Sequence, residues 1–193
     1  MKEELLNKLK QINPVDEDNI PKNQGNCQWC AIEGARVLLE DVEPTEIPSH
    51  QDDSGNDPIE ERLHSKYGSN YVSSDDPEVF FEEIRKLNKG DLMLVSLEND
   101  DLDHAYIIYI DEEGDPYLID PDRQLFVELD ERENFYHSVK GWNNVETINY
   151  LNGDINSEFR DKIKVDICVL TKQAVESDPL PEFGSEPPRL QYM

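Results

Sequence analysis

Gly25-Asn26-Cys27-Gln28-Trp29-Cys30-Ala31-Ile32-Glu33-Gly34-Ala35-Arg36-Val37-Leu38-Leu39 is the stretch from which the rest of the chain is read. Cys27, Cys30, Ala31, Gly34, Val37 and Leu38 recur at helical spacing, so one face of a helix is expected to be buried. Asn26, polar and directly before the first periodic residue, suits an N-cap. Cys27 then falls in the first turn, where backbone N–H groups and the positive end of the helix dipole favour a thiolate over a thiol. A nucleophile can use that position. Cys30, one turn later on the same stripe, reads as core, because unpaired cysteines behave as small buried hydrophobes.

Upstream, Leu5, Leu6, Leu9 and Ile12 predict a short amphipathic helix over residues 3–12, stopped by Asn13-Pro14. Residues 15–25 are acidic, then rich in Asn, Pro and Gly, and form a loop that delivers the chain to Cys27. Downstream, residues 40–57 are polar and nearly without apolar side chains, a long acidic surface loop suited to a lid or a partner-binding insertion but equally to plain solvation. Asp57-Pro58 opens a second helix over 58–67, ended by Gly68, with His64 on its surface. Asp76 and Pro77 open a third, with Val79, Phe80, Ile84 and Leu87 as its apolar positions and Gly90 as its end.

Beyond Gly90 the period changes from helix to strand. Leu92 to Leu97 is a continuous apolar run expected of a buried strand, and Ala105–Ile110, Tyr117–Asp120 and Leu125–Leu129 follow across short acidic turns. Turns this short imply an antiparallel meander. Residues 131–162 give no clear period. Lys164–Leu170 alternates as a last strand, in which Cys168 is a packing residue. Residues 1–172 therefore read as one α+β domain, and 173–193, rich in proline, as a mobile tail that buries little.

Composition excludes several classes. With 18 basic and 44 acidic residues among 193, the net charge is −26, which repels nucleic acid phosphates and anionic lipid and favours a basic protein partner. The same charge also serves plain solubility. No apolar run approaches the roughly 20 residues of a membrane span. The start Met1-Lys2-Glu3-Glu4-Leu5 lacks the apolar core of a secretory signal peptide. Three cysteines, Cys27, Cys30 and Cys168, are too few for a disulfide scaffold and point to a reducing compartment. Cys27-x-x-Cys30 has neither the preceding strand of a redox motif nor the second Cys pair or close His pair of a zinc site, so neither metal nor cofactor is expected.

His104 opens the second strand, and Asp120 ends the third, just before Pro121. Across a short hairpin the start of one strand lies beside the end of the next, so the two fall at one edge of the sheet. A cysteine nucleophile needs this pair: an imidazole to share the thiol proton and a carboxylate to hold the imidazole's tautomer. Cys27 at a helix N-terminus packed on that sheet completes a triad, in the chain order of papain-like folds. Asp122 is chemically able to replace Asp120, but strand-end placement favours Asp120. His137 competes as base without a strand to fix it.

Asn13-Pro14, Asn26-Cys27-Gln28-Trp29-Cys30-Ala31, His104-Ala105-Tyr106-Ile107-Ile108-Tyr109 and Leu118-Ile119-Asp120-Pro121 resemble, in order, the motifs of the papain-fold toxin family, the protein-glutamine deamidase-like domains of bacterial toxin and effector systems. The resemblance spans roughly residues 13–128. It implies a papain-like fold, with N-terminal helices and the nucleophile helix packed on an antiparallel sheet, and Cys27, His104 and Asp120 as nucleophile, base and orienting acid. It also implies an effector made in a bacterial cytoplasm, delivered into another cell without a cleaved signal, and countered by a cognate immunity protein. The family continues Asp-Pro-Gln where this chain has Asp120-Pro121-Asp122.

The expected chemistry is attack of the Cys27 thiolate on a carboxamide, loss of ammonia and hydrolysis of the thioester. The Cys27 backbone N–H, with the side chain of Gln24 or Asn26, is a candidate oxyanion donor, and Trp29 a candidate for the substrate groove, although a loop amide, an N-cap and core packing are the plainer roles of these three. A cysteine protease or deubiquitinase-like hydrolase would use the same groups. A non-catalytic acidic binding module would not need Cys27 at all.

Overall fold

The computed structural model describes residues 1–52, 58–72, 82–98, 103–129 and 164–184. The start of the expected third helix, with Asp76 and Pro77, and residues 131–162, with His137, lie outside them.

The fold is α+β, with an antiparallel sheet and a few helices. The first helix, α1, is Glu3–Leu9. It ends before Ile12 because the chain tightens into i→i−3 bonds, with Gln11 N–H to Lys8 O and Ile12 N–H to Leu9 O, ahead of the helix-incompatible Asn13-Pro14. Leu9 and Ile12 are both fully buried. The central helix, α2, is Cys27–Glu40, and every residue from Gln28 to Leu39 is buried. It is enclosed all round, where the sequence pattern predicted one buried face. Its interior charges are paired: Arg36 Nη1 donates to Glu33 Oε1 at 2.7 Å, and Glu33 Oε2 accepts the Thr45 N–H at 2.8 Å.

Residues 58–67 are helical as expected, a π-helical Ile59–His64 running into α3, Ser65–Tyr67, with Gly68 at φ +87° reversing the chain. The strands are β1 Asn70–Val72, β2 Leu92–Glu98, β3 Asp103–Ile110, β4 Pro116–Asp120, β5 Leu125–Glu128 and β6 Lys164–Leu170. Their order across the sheet is β1-β6-β2-β3-β4-β5, every neighbouring pair antiparallel. The predicted meander is β2 to β5. The last strand, β6, is not at an edge but between β1 and β2, with Leu92 opposite Leu170 on one side and Tyr109 on the other.

Helix α2 lies over β3, flanked by β2 and β4. Leu92, Leu94, Ala105, Ile107, Ile119 and Cys168 form the sheet side of that core. The alternate residues Met93, Val95, Tyr106, Ile108, Leu118 and Ile167 are buried as well. Burial on both faces explains why β2 reads as a continuous apolar run. Gly34 lets the helix approach: a Cβ there would stand 2.9 Å from Ile107 Cδ1 and 3.2 Å from Pro121 Cγ.

Two expectations change. The described part of the expected 40–57 loop, residues 40–52, is not only solvated, since Ile47 is fully buried and its N–H donates to Ile12 O at 3.0 Å. The start of the expected tail is packed too. Helix α4, Lys172–Ser177, is capped by Thr171 Oγ1 accepting from Ala174 N–H, and Val175 and Leu180 are buried in the α2 core. Apolar residues spaced between prolines were enough to dock this segment.

Candidate active site

Strand alternation decides the first pair of groups. Ile107 is opposite Ile119, so one step outward Tyr106 meets Asp120, with His104 diagonal to it on the same face. His104 Nε2 lies 2.6 Å from Asp120 Oδ2, and both side chains are buried. The carboxylate acceptor requires Nε2 to carry the proton, which leaves Nδ1 as the basic nitrogen. Asp120 Oδ1 accepts the Arg123 N–H at 3.1 Å, and the Tyr106 ring stacks on the imidazole with centroids 6.3 Å apart. These contacts fix both members of the pair.

Asp122 stands on the other side of the ring, its Oδ2 4.0 Å from His104 Nδ1. Burial, then the neighbouring Asp120 charge, pushes its carboxyl above the ordinary range, opposed by His104, Arg123 and the Asn13 amide. Asn13 ties the corner together. Its Nδ2 donates to Asp122 O at 2.8 Å and to Asn23 O at 3.0 Å, while its Oδ1 accepts the Asn23 N–H. Gln124 Nε2 bonds Asn13 O at 2.6 Å from the turn after β4. The loop that leads to Cys27 is thereby fastened to the turn that follows Asp120. In the sequence Asn13 marks a helix stop and the first of the resembling motifs, and the full burial of its polar amide is what reveals its role as a clasp.

Cys27 is the first residue of α2 and half-buried. One turn on, the fully buried Cys30 thiol is pushed well up by desolvation, with further contributions from Asp122, Asp120, Cys27 and Asp52. Cys27 and the two aspartates therefore share the surroundings of Cys30. Cys30 is itself an inert core thiol, as expected. Cys168 is fully buried, its thiol pushed up to about 12 by desolvation alone.

The helix start is capped otherwise than predicted. Asn26 occupies the N-cap position without a side-chain cap bond, its Nδ2 donating instead to Ile47 O at 2.8 Å. Asp52, from the 40–52 loop, accepts the Gln28 N–H through Oδ2 at 2.8 Å. A cap from 24 residues away leaves no local sequence signal. Among the oxyanion and groove candidates, Asn26 is thus committed to the loop. Gln24 is exposed, its backbone engaged with Ser49 Oγ and the His50 N–H. Trp29 is buried, edge-on to Phe183 at 5.5 Å with Arg62 over its ring at 5.6 Å, and so is a packing residue.

His104, Asp120 and Asp122 also bring ligand-type atoms within 4.8 Å, but Nε2 and Oδ2 are already at hydrogen-bond distance from each other. Asp111, Glu113 and Asp115 form a second such group, in which Asp111 accepts two N–H bonds of its own turn. A groove of about 520 Å³ lies at the other end of α2, beside Val37, Leu38, Tyr109 and Lys172; Cys27, His104 and Asp120 do not line it. No helix among the described residues is long and apolar enough to cross a membrane.

No protein-family model matches the chain. No curated protein matches it in sequence. Among solved structures it is similar to RavD (residues 1–200) from Legionella pneumophila, at 12% identity and a TM-score of 0.42 over 75% of this chain and 77% of that one.

Proposed function

We propose that the chain is a papain-like cysteine amidohydrolase, a protein-glutamine deamidase with Cys27 as nucleophile, His104 as base and Asp120 as orienting acid. The observation that carries this reading is the buried His104–Asp120 pair, Nε2 to Oδ2 2.6 Å, with a half-exposed cysteine at a helix start whose neighbour one turn on, Cys30, feels both Cys27 and Asp120. A carboxylate on Nε2 leaves Nδ1 to take the Cys27 proton. The thiolate then bonds the carboxamide carbon, its oxyanion met by the Cys27 N–H and, in a closed complex, by the exposed Gln24 side chain. Imidazolium returns the proton to nitrogen as the C–N bond breaks and ammonia leaves. Water, deprotonated by His104, displaces sulfur and yields a carboxylate.

The net charge of −26 supports a basic protein substrate. An effector role, with delivery into a second cell and a cognate immunity protein, belongs to the same proposal and rests on the motif resemblance.

Incubation with a cell lysate, followed by mass spectrometry, tests it. Wild-type protein should release ammonia and produce a one-dalton gain on glutamine, and Cys27→Ser should abolish both. New peptide termini would instead assign a protease. An effect retained by Cys27→Ser would assign a binding module.

A further inference from the structure

The 45–52 segment reaches the nucleophile corner from outside every motif. Ile47 O accepts the Asn26 amide, Ser49 Oγ accepts the Gln24 N–H, and the His50 and Asp52 N–H groups donate to Gln24 O and Gly25 O at 2.6 and 2.9 Å. Held in this way, the segment brings Asp52 Oδ2 to 2.8 Å from the N–H of Gln28, the residue after Cys27. A helix N-terminus carries roughly half a positive charge, and a full carboxylate charge beside it more than offsets that.

We propose that Asp52 is a positioning residue for Cys27: it fixes the first turn of α2 from a separate loop and, by its charge, keeps the Cys27 thiol protonated until His104 takes the proton. The inference rests on the reading of Cys27 as the nucleophile. The titratable and charged groups around this corner are Asp52, with His50 and the Lys22-paired Glu46 on its own loop, Asp120 at the end of β4, Asp122 and Arg123 on the turn after it, His104 on β3, and Cys30 on α2. Asp52, Asp120 and Asp122 all oppose a thiolate. His104 is the base placed to relieve them. The helix dipole, which the sequence alone nominates as the activator of Cys27, is thus cancelled, and activation passes to the imidazole. A thiol that ionises only against its base is protected from stray electrophiles.

The test is the pH profile of Cys27 alkylation by iodoacetamide, read at the Cys27 peptide of the full chain by mass spectrometry. Cys30 and Cys168 are fully buried, which keeps the background low. Asp52→Asn keeps an acceptor oxygen without the charge, and Asp52→Ser is a second uncharged cap. In both, the half-maximal pH should fall by about one unit, the size expected on removing one nearby charge from a partly solvated site. An unchanged or raised half-maximal pH in the folded variants overturns the proposal. If neither variant folds, Asp52 is a structural cap alone and the proposal fails as well. Absence of ammonia release by wild-type protein would instead defeat the deamidase reading, while leaving this titration readable, because the probe follows the thiol itself.

Discussion

Asp120 and Asp122 are two residues apart and chemically alike, yet the fold gives them different work. Asp120 is fully buried and bonded through one oxygen to the imidazole and through the other to the Arg123 N–H. Asp120→Asn keeps the shape but removes the charge that selects the Nε2–H tautomer, so kcat should fall by about a hundredfold or more. Asp122→Asn should cost far less, and steady-state ammonia release distinguishes the two. Asp122 also has a stability signature. Its pKa is raised in the fold, so the fold prefers the protonated form; its favourable contribution is complete at low pH and is lost as pH rises through the folded pKa. Asp122→Asn should therefore melt higher than wild type near neutral pH, with the difference closing in acid. Thermal melts across that range check the sign.

At the scale of elements, the decisive contact is that of α2 with the sheet, and Gly34 is where it is closest. A methyl group there must displace Ile107 Cδ1 and Pro121 Cγ, and Pro121 is bonded directly to Asp120. Gly34→Ala gains up to about 1 kcal/mol of helix propensity but meets an overpacking penalty of about 1–3 kcal/mol, so a net loss of about 1 kcal/mol is expected by chemical denaturation. Because the displaced atom abuts the proposed orienting acid, turnover should fall more than stability alone explains. The elements themselves were legible to different degrees. The helix from Cys27 and the strands from Leu92, His104, Tyr117 and Lys164 were each readable from a local period. Strand β1 was not, because three residues are too few to show one. The docking of 172–184 was masked by prolines that look like a linker.

For the whole molecule, the net charge of −26 sets the tone. Self-repulsion of this size opposes the compact state, and salt shortens its reach from about 30 Å at 0.01 M to about 8 Å at 0.15 M. The melting temperature should rise by a few degrees across that range. A flat or falling response in a calorimetric scan would mean that local ion pairs such as Arg36–Glu33 dominate instead. The candidate triad was legible because its members sit at element boundaries that local patterns mark: a helix start for Cys27, a strand start for His104 and a strand end for Asp120. The hairpin argument for His104 and Asp120 needed only adjacency of two strands, and their 2.6 Å contact agrees with it. What determined the elements, then, was periodicity and turn chemistry, which act over a few residues and are written in the chain. The Asp52 cap on α2, the Asn13 clasp on the Asp122 turn, the burial of Ile47 and the insertion of β6 between β1 and β2 are different in kind. Each joins residues far apart in the chain, through a few hydrogen bonds, a packed side chain or, for β6, the ladders on its two sides. Such contacts have no period and no spacing, and only closure of the tertiary structure creates them.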